Sequence, residues 1–143
     1  MRLINTHTLD LEDYNKDIPP YAILSRTWED GEEVTFQEWH RDRVGVSPKP
    51  GFTKICNVCE QAQLAGLAYV WVDTNCINKS SSAELSEAIN SMFVWYERAD
   101  VCFVYLSDVT STFVDEELGE EGPSPSPLSV SKAKKHSSIS SAR

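Results

Sequence analysis

No run of apolar residues in this chain approaches the roughly 20 needed to span a bilayer. Nor does the start, Met1-Arg2-Leu3-Ile4-Asn5, lead into the apolar stretch of a secretion signal. Basic charge is scarce: 13 Lys and Arg stand against 22 Asp and Glu, a formal net charge of −9. That balance argues against duplex nucleic acid and against anionic membrane surfaces, both of which reward basic patches. Histidines number only three (His7, His40, His136), and the spacing sets none of them beside a cysteine. With no secretion signal or membrane span read, the four cysteines, Cys56, Cys59, Cys76 and Cys102, are expected reduced, in a cytoplasmic protein. Cys56 and Cys59 form a C-x-x-C pair without a second ligand pair, so no metal site is expected.

What the chain does contain is enough for one domain with a core: 143 residues, 41% hydrophobic, with four tryptophans. Three short apolar runs, YAILS (21–25), YVWVD (69–73) and VCFVYLS (101–107), read as strands. They lack polar alternation, as do strands of a parallel sheet covered on both faces. INTHTLDL near the start adds a shorter edge strand. Two helices separate the runs. GFTKICNVCEQAQLAG places Ile55, Val58, Cys59, Ala62 and Ala65 on one stripe, and Gly66 is its natural stop. SSAELSEAINSMFVWYERA carries Leu85, Ala88, Ile89, Met92, Phe93, Tyr96 and Ala99 at helical spacing, a stripe read as core. Ser81 with Glu84 gives that helix a capping-box start. Alternating strands and helices imply right-handed crossovers and an open α/β sheet.

From Asp115 the composition changes to DEELGEE, then GPSPSP, then a Ser/Lys stretch. Too little apolar surface is present there to offset the entropy of ordering. Residues 1–110 are thus read as the domain, with core motifs at 21–109, and 111–143 as a disordered acidic, Ser-Pro and Lys tail.

The blocks YAILSRTWEDGEEVTFQEW and YVWVDTNCINKSSSAELSEAINSMFVWYERADVCFVYLSDV resemble the HET domain of fungal heterokaryon-incompatibility proteins. The resemblance starts near Met1 and runs to about Val109. It implies a signalling and interaction module of non-self recognition that ends in programmed cell death. It also implies protein partners: other HET-domain or incompatibility proteins, or a second copy of the chain. HET domains are in turn similar to TIR domains, which implies a partial TIR-like or flavodoxin-like open parallel sheet with flanking helices. Some TIR domains cleave NAD with a glutamate in a Trp-x-x-x-Glu context. Here Arg26 stands where the family usually has His or Tyr, and Glu29 where it has Gly. No Trp-x-x-x-Glu segment follows Val109, so the chain reads as a truncated HET domain; NAD cleavage of TIR type, as an NAD glycohydrolase, stays open as the alternative, with the missing segment counting against it.

In open α/β sheets ligands gather beyond the carboxyl ends of the strands. Those ends here are SRTWEDG, DTNCINKSSS and SDVTST. The residues able to hold a nucleotide, with NAD as substrate or ligand, are Ser25, Trp28, Asp73, Thr74, Asn75 and Asn78. Trp28 can stack on a base or cover the edge of the core. Asp73 can accept from ribose hydroxyls or organise its own loop; Thr74, Asn75 and Asn78 can contact a ligand or simply form turns. Cys76 reads as a buried thiol, and Glu84 as a cap. No catalytic residue is assigned.

Overall fold

A computed structural model of the chain describes residues 1–26, 31–105 and 130–134. The elements run β1 (Arg2–Asn5), β2 (Leu11–Asp13), β3 (Ala22–Arg26), α1 (Phe36–Arg41), α2 (Arg43–Val46), α3 (Pro50–Leu64), β4 (Tyr69–Trp71), α4 (Asp73–Cys76), α5 (Ser82–Arg98), β5 (Val101–Tyr105) and β6 (Val130–Lys134). One sheet has the order β2-β1-β4-β3-β5-β6.

At its centre, β3 is parallel to both neighbours, with Ala22 opposite Val70 of β4 and opposite Val101 of β5. These are the three apolar runs of the sequence. The fold is α/β with helices flanking the sheet, as expected, but the sheet is mixed rather than parallel. β1 pairs antiparallel with β2 and β4, and β6 pairs antiparallel with β5. The amino-terminal segment supplies two strands instead of one, because the chain reverses over residues 6–10, with Leu9 at φ 63°. The expected tail falls on residues outside the described ones, except Val130–Lys134, which is strand rather than disordered chain.

The β3-to-β4 connection carries α3, and the β4-to-β5 connection carries α5 in the opposite direction along the sheet. Right-handed crossovers then set the two helices on opposite faces. Ile55, Val58, Cys59 and Ala62 of α3 are buried. The helix stops as its glycine requires: Gly66 has φ 79°, Leu67 N–H donates to Ala62 C=O at 2.8 Å, and Gly66 N–H to Gln63 C=O at 2.9 Å. Both bonds of a Schellman cap are present.

α5 differs from its expected stripe. Ala88 and Ala99 are buried, while Ile89 is 63% and Phe93 79% exposed. The reason is Trp95, which was not in the stripe. Its ring lies 5.5 Å from that of Trp71 on β4, and its carbonyl accepts from the Tyr21 hydroxyl at 2.5 Å. Bringing Trp95 inward rotates Ile89 and Phe93 outward.

α1 and α2 fill the long excursion after β3. Thr35 and Glu38 form a full capping box on α1. Trp39 of α1 is buried and its indole N–H donates to Leu9 C=O at 2.9 Å, tying the excursion to the β1–β2 turn.

Candidate functional site

β3 runs parallel to β4 with Ile23 opposite Trp71, the last paired position; Ser25 lies two residues further along β3, and Asp73 opens the turn after β4. Trp28 lies outside the described residues. β4 is shorter than read, however: it ends at Trp71, Val72 is a helix N-cap, and Asp73–Cys76 form the single turn α4 instead of strand and loop. The run of small polar residues favours this, since none of them needs the sheet to satisfy its backbone.

That turn faces inward. Thr74, Asn75 and Cys76 are all buried. Asp73 is half-buried, with its carboxylate 4.0 Å from the Lys79 ammonium. Asn78 is held by its neighbours: its side-chain oxygen accepts from Gln37 Nε2 at 2.7 Å and from Ser80 Oγ at 2.6 Å. Its N–H donates to Glu84 Oε1 at 3.0 Å. So Asn78 organises the turn into α5. Asn75 is the opposite case. It is 0% exposed, and among the described residues neither atom of its amide has a hydrogen-bond partner. A buried amide left so costs about 1–3 kcal/mol.

The rim of the site is a network that sequence reasoning did not foresee. Glu84 caps as expected in one respect: its N–H donates to Ser81 Oγ at 3.3 Å. Its carboxylate does not return to Ser81. It accepts from Asn78 and from the Arg2 guanidinium, at 2.5 Å. Arg2 also donates to Cys76 C=O at 3.2 Å, and lies 4.5 Å over the Phe36 ring. Partial burial pushes the Glu84 carboxyl up, but the Asn78 N–H and the Arg2 charge outweigh it and its pKa is lowered. Beside this network is a cavity of about 390 Å³ between β1 and α5, whose lining includes Asp13, Ile77, Glu84 and Trp95.

Beyond β3 and β5, Lys54 of α3 is 5% exposed, 4.0 Å from Glu33 Oε1, itself on a residue 8% exposed. The Lys54 ammonium also sits 4.6 Å from the centre of the Tyr105 ring. Neither residue was singled out from the sequence; a lysine within an apolar helix stripe is the one signal that was there.

Thiol chemistry has no support. Burial pushes the Cys76 thiol up to about 12, and its sulfur accepts the Val72 N–H at 3.4 Å. Burial likewise raises Cys59 to about 12. Among the described residues no group of three His, Cys, Asp or Glu side chains could hold a metal ion. No helix among them is long and apolar enough to cross a membrane.

The sequence profile of the heterokaryon incompatibility protein family matches residues 21–141. The chain belongs to the HET family. The match extends past Val109, where the motif resemblance stops, into the acidic and Ser-Pro segment. A curated HET relative, the vegetative incompatibility protein HET-E-1 of Podospora anserina, is 54% identical over 95 residues. Those residues are 66% of this chain and 7% of HET-E-1, so the chain spans a small part of that relative's length. No solved structure matches the chain.

Proposed function

We propose that the chain is a cytoplasmic signalling and interaction module of fungal vegetative incompatibility, acting through protein partners in non-self recognition that leads to programmed cell death. The observation that carries this reading is the family match over 21–141. The geometry supports it in a negative and a positive way. Strand-end polar groups such as Asn78 and Glu84 are engaged in internal hydrogen bonds, and the thiols are held protonated. Large apolar side chains on α5 stand outward instead. Inducible expression in a fungal host tests the reading. Growth arrest with cell death is the expected outcome; unimpaired growth at full expression of the folded chain overturns it.

A second reading, a TIR-like NAD-cleaving site, draws support from Asn75 alone: its amide is buried in the turn after β4 without a partner among the described residues, and α4 would have to open for a nucleotide to reach it. The absence of a Trp-x-x-x-Glu segment counts against turnover by this chain. NAD consumption by the purified chain, beside a version carrying Trp-Thr-Leu-Gln-Glu in place of residues 111–143, separates the two. Turnover only by the second version supports a real pocket without its catalytic carboxylate.

A further inference from the structure

The exposed side of α5 is not a random polar helix surface. Down one stripe run Ser82, Ser86, Ile89, Phe93 and Glu97, all exposed. Small residues occupy the first half and large apolar ones the second. Phe93 and Ile89 are 79% and 63% exposed, far from the single half-covered apolar residue that needs no explanation.

From this pattern the geometry points to a second copy of the chain as the occupant: α5 pairs antiparallel with α5 of another molecule about a two-fold axis beside Asn90. In that arrangement Phe93 of each copy lies over Ser86 of the other, large side chain against small, as interdigitating helix surfaces require. A parallel pairing would stack Phe93 on Phe93 and leave the serine halves facing each other across a gap.

Charge gives the same direction. Glu97 stands in the last turn of α5, where the helix dipole disfavours a carboxylate. Antiparallel pairing moves it over Ser82 in the first turn of the second copy, the positive end. Each copy corrects the other's misplaced charge. The interface is isologous and closes on itself, so it stops at a dimer.

Two Phe93 and two Ile89 side chains bring together on the order of 500 Å² of apolar surface, below the ~1,200 Å² where standard stable interfaces begin. Association is therefore weak and depends on local concentration. This contact goes beyond the incompatibility reading and stands or falls in dilute solution whatever the chain does in the cell.

Sedimentation of the full chain, at concentrations from the micromolar to the millimolar range, tests it. A monomer–dimer equilibrium is expected, weakened at least tenfold by Phe93→Asp or Ile89→Asp with the melting temperature unchanged. For orientation, Asn90→Cys is expected to crosslink to itself under oxidation, Ser82→Cys to crosslink to Glu97→Cys in a mixture, and Glu97→Cys alone to stay monomeric. A monomer across the whole range overturns the proposal. So does wild-type association by both aspartate variants, or self-crosslinking of Glu97→Cys as efficient as that of Asn90→Cys.

Discussion

The Arg2 guanidinium and the Glu84 carboxylate meet at 2.5 Å across 82 residues of sequence, fastening the first strand to the first turn of α5. Because Arg2 also reaches Cys76 C=O and Glu84 also accepts the Asn78 N–H, the pair locks α4 and the turn after it. Both side chains are partly shielded, 18% and 31% exposed. A charge-assisted hydrogen bond of this kind is worth about 1.5–3 kcal/mol. Glu84→Ala is therefore expected to cost about 2 kcal/mol in urea denaturation at neutral pH. Glu84→Gln, which can still accept from Asn78, should cost about half as much.

Acid should unfold the chain through three carboxylates. Glu84 is lowered as described; Glu38 is lowered chiefly by the Lys49 ammonium and the Thr35 backbone; Glu12 chiefly by the Tyr14 hydroxyl and Asn5. A carboxyl with a depressed folded pKa gives stability that is fully present above its unfolded value, here 4.5. That stability is lost as the pH falls through the folded values. Stability is thus expected to be flat between pH 5 and 7 on this account, and to fall below about 4.5. Denaturation midpoints measured from pH 7 to pH 3 check this, with Glu84→Gln showing a shallower acid limb than the parent chain.

Gly51 gives α3 its close approach to the excursion after β3. Its N–H donates to Glu32 C=O at 2.9 Å, and a Cβ at this position would lie 2.6 Å from that same oxygen and 3.0 Å from Val34 N. All these neighbours are backbone, so nothing can swing aside. Gly51→Ala is expected to cost about 1–3 kcal/mol. Gly66→Ala meets open space and should cost only about 1–2 kcal/mol, from its positive φ. Thermal melts of the two variants test the order.

The central strands were legible because continuous apolar runs leave a covered strand little alternative, and Gly66 because no other residue takes its φ so readily. Thr35 and Glu38 announced α1 by their spacing and could have been read. The inward turn of Asp73–Cys76 could not: the same residues suit a loop or a helical turn, and tertiary burial decided. Likewise the rotation of α5 depended on where Trp95 found Trp71, a partner 24 positions away by number that periodicity does not encode. Pairing of residues as distant as Arg2 and Glu84 leaves no local trace at all.

The buried pair of Lys54 and Glu33 lies at the strand ends, where a change in either would be felt by the loops of the site. Removing one partner leaves the other charge in a poorly hydrated place. Lys54→Met and Glu33→Leu are each expected to destabilise the chain by about 3 kcal/mol. Combined, they are expected to cost less than the sum of the two, by whatever the Lys54–Glu33 contact itself contributes. Chemical denaturation of the four proteins closes the cycle; simple additivity would mean that the two charges do not act as a pair.

Asn75 separates structure from function most cleanly. An amide that pairs with nothing among the described residues gives up its hydration for no return, so a side chain of similar branching without polar atoms should serve stability as well or better. Asn75→Leu is expected to leave stability unchanged or raise it by about 1 kcal/mol. A loss of more than about 2 kcal/mol would mean that the amide is paired in solution. The same variant bears on the nucleotide reading. If Asn75 is the handle, any NAD binding seen by calorimetry with the parent chain disappears in Asn75→Leu while the melt is preserved.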